Sequence, residues 1–172
     1  MGPHRLTAAL ALIALAGCGG GGASTSRSAE RATVARVVDG DTLRLAGGGL
    51  VRLVQVDAPE RGAECWGVRA AGVLAQLAPA GTRVELERDP ELDDRDRFGR
   101  RLRYVRRDGG LLNLELVERG AAAPYFYRGR RGRHADELLR AAHSARAARL
   151  GLWGACPSAR LDPPRALDAG PG

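Results

Sequence analysis

The feature that most constrains the fold is a train of short β-branched runs, each closed by Gly, Asp or Pro, with a helical pattern set in its middle. Thr33 to Val38, Thr42 to Leu45, Leu50 to Val56, Arg83 to Glu87 and Leu102 to Arg106 have the length and composition of strands. Gly47-Gly48-Gly49 reads as the turn of a hairpin between the second and third runs. Between the third and fourth, Gly67 to Ala78 places Val68, Ala71, Ala75 and Ala78 at helical spacing, and Pro79 and Gly81 stop it. Leu111 to Arg119, ending at Gly120, predicts a shorter helix. Arg133 to Leu150 predicts a longer one, with Leu138, Ala142, Ala145 and Leu152 on about one face. The pattern is therefore a mixed α+β arrangement of five strands and three helices, and 172 residues suit one domain with appendages.

The appendages lie at both ends. His4 and Arg5 make a weakly basic start to the apolar run Ala8 to Ala16, which is too short to span a bilayer and reads as an export signal over 1–17. Leu15-Ala16-Gly17-Cys18 looks like a bacterial lipobox, with Cys18 as the lipidated first residue of the mature chain; an ordinary secretory signal is the alternative. Residues 18–31 then form a Gly/Ser-rich tether with a reach on the order of 20 Å. The domain itself is expected over 32–156, and the Pro-, Ala- and Gly-rich stretch 157–172, with few apolar anchors, reads as a disordered tail. The expected location is extracytoplasmic, anchored to the bacterial cell membrane, or else secreted. With Cys18 lipidated, Cys65 and Cys156 remain as an even pair in an oxidising setting, where a disulfide fits; two free buried thiols are the alternative.

The formal charge is +7, all basic residues are Arg, and loss of 1–17 removes Arg5 and no acid, leaving +6. A basic chain is drawn to phosphate polymers and anionic surfaces before any specific contact forms. Histidine chemistry offers little: His4 leaves with the signal, and His134 and His143 fall on opposite faces of the predicted third helix.

Three charged blocks carry the chemistry. Asp39-Gly40-Asp41-Thr42 alone is an ordinary hairpin turn. The run Arg52-Leu53-Val54-Gln55-Val56-Asp57-Ala58-Pro59-Glu60 leads a strand into a stiff turn that presents two more carboxylates. Two acidic turns meeting at one end of a sheet make an all-oxygen cage, which suits Ca2+ better than zinc. Arg52 shares a strand face with Val54 and Val56, so it needs an anionic partner, in a structural ion pair or on a substrate. In Asp96-Arg97-Phe98-Gly99-Arg100 the glycine lets the chain turn and aim Arg100. The acids Asp89, Glu91, Asp93, Asp94 and Asp96 read as a solvated loop, with a second cation site as the minor alternative. Farther on, Tyr125-Phe126-Tyr127 puts two tyrosines on one side of an extended segment, next to Arg128, Arg130, Arg131 and Arg133.

The order and spacing of these blocks resemble the thermonuclease, or staphylococcal nuclease-like, family over about residues 33 to 156. The resemblance implies a five-stranded OB-type β-barrel with three flanking helices. It implies Asp41 and Asp57 as direct Ca2+ ligands, the backbone carbonyl of Ala58 as another and Asp39 acting through water. Family members often carry Thr at the position of Ala58, and a carbonyl ligand survives that change. Arg52 and Arg100 match the phosphate-clamping arginines, and Glu60 would orient or deprotonate the attacking water. Arg97, Phe98, Tyr125 and Tyr127 would contact the nucleotide, Phe98 standing where the family usually has Tyr. The implied activity is calcium-dependent endonucleolytic hydrolysis of DNA and RNA, single strands preferred, with low sequence specificity and 3′-phosphate ends, by a monomer. Two rivals remain: a catalytically silent nuclease-like module that binds nucleic acid, and a lipoprotein that merely holds anionic polymer at the envelope.

Overall fold

In the computed structural model, which describes residues 1–2 and 29–172, the five expected strands close into a barrel. Strand β1 (Glu30–Asp39) is long enough to serve two partners. Its first residues pair antiparallel with β5 (Arg83–Glu87), and its later ones with β2 (Thr42–Leu45). Register shifts between Val34 and Arg36 and between Val37 and Asp39 bend it where it passes from one partner to the other. Such irregularities raise local twist, which is how one strand can turn a barrel corner. β3 (Leu50–Leu53) follows β2 through the triple-glycine turn, β6 (Arg101–Arg107) follows β5, and parallel pairing of β3 with β6 closes the barrel. Val34, Leu43, Leu45, Val51, Leu53, Val84, Leu86 and Val105 fill its interior.

The helices cover the barrel. α1 (Gly67–Leu77) buries Ala70, Ala71, Leu74 and Leu77, and α2 (Leu112–Glu118) buries Leu112, Leu116 and Val117. α3 (Ala135–Ala147) packs on α2 with Leu138, Ala142 and Ala145 inward. Buried Asn113 pins α2 to the barrel: its Oδ1 accepts from the Val105 amide at 2.9 Å and its Nδ2 donates to the Val54 carbonyl at 2.8 Å. Three two-residue strands complete the fold: β4 (Val56–Asp57), β7 (Gly110–Leu111) and β8 (Ala123–Pro124).

Four expectations are corrected. The run Leu50 to Val56 is not one strand: Gln55 takes φ 63°, breaks the extended chain after β3, and lets β4 pair with β8 instead. The third helix begins after His134 and ends at Ala147; Leu152 belongs to a separate four-residue turn, α4 (Leu152–Ala155), reached through Arg149 and Gly151 at positive φ. His134 is thus not on the helix face but packs edge-on against Tyr104, ring centroids 4.7 Å apart. Residues 157–172 are laid against the domain, where Ala159 and Ala169 are buried with Cys156, Trp66 and Trp153. The Cys65–Cys156 disulfide is formed, joining the loop ahead of α1 to the end of α4 across 91 positions. The export signal and Cys18 fall outside the described residues apart from Met1 and Gly2. Among the described residues no helix is long and apolar enough to cross a membrane.

Candidate active site

The β1–β2 hairpin ends in Asp39-Gly40-Asp41, and the β4 turn carries Asp57-Ala58-Pro59-Glu60; the two turns touch. Gly40 makes this possible, because a Cβ there would stand 2.6 Å from the Ala58 Cβ and 3.1 Å from that of Ala70. Asp41 is 5% exposed, and both of its oxygens are held: Thr42 Oγ1 donates to Oδ1 at 2.9 Å and the Ala58 amide to Oδ2 at 3.3 Å. Asp39 accepts from the Gly40 amide at 2.7 Å, and its carboxylate lies close enough to Glu60 to act on it. Glu60 is exposed, but its backbone is fixed, since its amide donates to Glu64 Oε2 at 2.6 Å and its carbonyl accepts from Glu64 at 3.0 Å. Gly67, the first residue of α1, packs on that carbonyl where no Cβ would fit.

Arg52 fills the space between the turns. Its Nη2 lies 3.0 Å from Asp41 Oδ2 and donates to Asp57 Oδ1, while Nη1 donates to the Val56 carbonyl at 2.8 Å. Two carboxylates from separate turns therefore converge on one point. Burial alone would lower the Arg52 pKa, and the charges of Asp41 and Asp57 overcome it and hold it raised. Burial pushes Asp57 up to about 6, with Asp41 and Glu64 adding to the shift and Arg52 opposing it. Glu60 is raised by partial burial and by the negative charges of Asp39, Asp41 and Asp57.

Arg100 joins the same network from the β5–β6 loop. Its Nε donates to Asp96 Oδ2 at 2.6 Å, its amide to Asp96 Oδ1 at 2.9 Å, and its Nη1 to Thr42 Oγ1 at 3.3 Å. Thr42 so links the second arginine to Asp41. Burial works to raise Asp96, but the hydrogen bonds from Arg100 hold it below the usual carboxylate range. The acidic stretch is accordingly not simply solvated. Asp89, 3% exposed, accepts from the Arg133 and Glu91 amides, Asp94 pairs with Arg103 at 2.9 Å, and Asp93 with Arg130 at 2.8 Å.

A cleft of about 460 Å³ opens from this network. Arg52, Asp57 and Arg100 stand on its walls with Phe98, Tyr125 and Tyr127. The Phe98 ring is 68% exposed and flanked by the guanidinium groups of Arg97 and Arg100, 4.7 and 5.3 Å from its centroid. The Tyr125 and Tyr127 ring centroids are 6.4 Å apart. Asp39, Asp41, Ala58 and Glu60 do not line this cleft. Among the described residues no group of three or more His, Cys, Asp or Glu converges as a ready-made metal site; the structure gathers Asp41 and Asp57 around Arg52 and leaves Asp39 and Glu60 at the edge.

Four groups escaped the sequence reading. Thr42 and Asp96 stood inside blocks singled out for their neighbours. Gln55 is buried, with Nε2 donating to the Arg130 carbonyl and Oε1 accepting from the Gly132 amide, both at 2.8 Å, while its own carbonyl accepts from Tyr125 at 3.0 Å. It ties the tyrosine and arginine segment to the barrel, and its only signal was a lone amide in an apolar run. The fourth is the Leu167 amide, which donates to Asp57 Oδ2 at 2.8 Å and leaves no mark in sequence.

Comparison with known proteins accounts for this arrangement. Residues 50–155 match the family model described as staphylococcal nuclease homologue. The chain is similar to Protein ParB of Escherichia coli, 34% identical over 162 residues that make up 87% of this chain and 82% of ParB. It is also similar to the thermonuclease of Staphylococcus intermedius, 34% identical over 60% of this chain and 65% of that protein. The SPbeta prophage-derived endonuclease YokF of Bacillus subtilis is 30% identical over 70% of this chain, which spans 43% of YokF. A barrel closed by β3 and β6, with its acidic turns, arginines and cleft at one end, thus belongs to the staphylococcal nuclease homologue family, and the chain is a nuclease.

Proposed function

We propose that this nuclease is a calcium-dependent endonuclease that cleaves DNA and RNA, single strands preferentially, with low sequence specificity and 3′-phosphate ends. The observation that carries this is the convergence of Asp41 and Asp57 on one cationic point, tied through Thr42 to a second arginine, at the end of an aromatic cleft. The donor set fits a hard cation: the converging side-chain atoms are carboxylate oxygens, with no soft ligand among them. Asp41, Asp57 and the Ala58 carbonyl would hold calcium, with Asp39 acting through water. Bound there, calcium would supply positive charge to the scissile phosphate and to the attacking water.

The chain's own groups do the rest. Glu60, its basicity raised by partial burial and by the neighbouring carboxylates, is suited to accept a proton from water as its oxygen attacks phosphorus. The P–O5′ bond breaks as the P–O bond to water forms, the departing O5′ takes a proton from solvent water, and phosphate stays on the 3′ side. Arg52 and Arg100, both on the cleft wall, offer charge-assisted donors to the oxygens that gain charge in the transition state. Tyr125, Tyr127 and Phe98 offer ring faces that accept any base, and Arg97 a phosphate contact, which supports low specificity and a preference for unpaired strands. We further place the protein outside the cytoplasm as a monomer anchored through lipid on Cys18. The lipobox-like Leu15-Ala16-Gly17-Cys18 and the disulfide, which needs an oxidising compartment, support that location.

Residues 19–172 should cleave single-stranded DNA with calcium and stop in excess chelator; undiminished cleavage without divalent ions would sink the metal site, and binding without cleavage under any condition would favour the silent module. Arg52→Ala and Arg100→Ala should each cost about 3 to 5 kcal/mol of transition-state stabilisation, roughly two to four decades in turnover, with a much smaller loss of DNA affinity. Steady-state kinetics on folded variants checks this.

The raised Asp57 gives a pH signature. Its folded pKa of about 6 exceeds the ordinary aspartate value of 3.8, so its contribution to stability is full below about pH 4 and lost as pH rises through about 6. In chelator, denaturation should show the stability difference moving in favour of Asp57→Asn by on the order of 3 kcal/mol between about pH 4 and about pH 8. A pH-independent difference would contradict the shift. Finally, Cys18→Ser should release the protein from membranes at unchanged specific activity, as fractionation and assay would show; membrane retention of the variant would overturn the anchor.

A further inference from the structure

Residues 156–172 lie beyond the segment that matches the family, yet they are built into the site. From the disulfide at Cys156 the chain turns back, and the Pro163 carbonyl accepts from the Phe126 amide at 2.6 Å. Ala166 forms part of the cleft wall. The Gly170 carbonyl accepts from the Cys65 amide at 2.9 Å, Pro171 bridges to Glu64, and the Gly172 amide donates to the Ala63 carbonyl at 3.3 Å. The segment therefore grips the chain on both sides of Asp57: the end of the loop that carries Glu60, and the stretch that carries Tyr125 and Tyr127. At its middle, the Leu167 amide donates to Asp57 Oδ2 at 2.8 Å, while Arg52 holds Oδ1.

We propose that residues 163–171 are a working part of the active site, a C-terminal strap whose Leu167 amide is the positioning group for Asp57. A carboxylate held at one oxygen can still swing about its side-chain torsions; a second donor from the opposite side fixes the plane in which it presents its remaining lone pairs. A backbone amide does this without adding a positive charge that would compete with a cation. Partners of this kind, which hold a ligand rather than the metal, set metal affinity and activity by about 10- to 100-fold. The strap stays in place through its two gripping ends, the disulfide and the buried Ala159 and Ala169. The inference rests on Asp57 being a ligand as proposed above.

The test compares the full chain with Leu167→Pro, which lacks the amide hydrogen, and with a chain ending at Arg165, which lacks the amide and the far grip. Calcium is titrated by calorimetry, and cleavage of single-stranded DNA is measured at saturating calcium. Both variants should bind calcium at least about tenfold more weakly and lose kcat, with KM for the DNA within about twofold of the parent. Parent-like calcium affinity and kcat in the shortened chain would overturn the strap, as would a rise in KM alone, which would make the segment only a wall for substrate. Should Leu167→Pro not fold, the shortened chain decides. A parent that neither binds calcium nor responds to chelator would overturn the metal assignment itself, an outcome distinct from variants that match a calcium-dependent parent.

Discussion

The guanidinium of Arg52, whose side chain is 13% exposed and buried between the carboxylates of Asp41 and Asp57, is the contact on which the rest of the site depends. Two carboxylates brought this close away from bulk water repel strongly, and only a resident cation makes their approach tolerable. The pair is costly to break, because removal of one partner leaves buried charge behind. Several otherwise unrelated features serve the same approach. Gly40 has no Cβ to hold the turns apart, the Ala58 amide reaches Asp41, and the Leu53 amide donates to the Asp41 carbonyl at 2.8 Å, tying the first turn to the strand that carries Arg52. The meeting of the two acidic turns around Arg52 is thus assembled by barrel closure.

A second principle governs the cleft walls. The loop from Asp89 to Arg100 and the segment from Tyr125 to Arg133 contain few buried apolar residues, and forked arginine contacts fasten them instead: Arg100 on Asp96, Arg103 on Asp94, Arg130 on Asp93. Exposed pairs such as Arg130 with Asp93 contribute little stability each, about 1 kcal/mol or less. They do fix direction, since a planar fork matched to a carboxylate tolerates few orientations. Gln55 completes the arrangement by binding the arginine segment through its backbone, while the side chains of Arg130, Arg131 and Arg133 pair with Asp93, Asp136 and Asp89. The mildly strained φ of 63° at Gln55 is what aims that amide away from the strand it interrupts.

Local sequence carried much of this. Apolar spacing located β2, β5, α1 and α2 to within a residue or two, but it misjudged the inward face of α1, which buries Ala70, Ala71, Leu74 and Leu77 and leaves Val68 and Ala75 exposed. The acidic turns, the arginines, the tyrosines and the cysteine pair were also legible, since their chemistry resides in side chains whose identity the sequence states. What it did not show were decisions made by partners far along the chain. Gln55 sits in a run that any strand could use, and only the competing pairing of β4 with β8 breaks it. Asp89 and Asp96 looked like solvated charge until the fold supplied Arg133 and Arg100. The last residues looked featureless because backbone amides hold them, and every residue but proline carries the same amide. The sequence therefore determined which charged and aromatic side chains this protein carries in its turns and loops. Only the closed barrel and its C-terminal return decided which atoms meet, because hydrogen bonds between residues as distant as Asp57 and Leu167 depend on tertiary geometry rather than on side-chain identity.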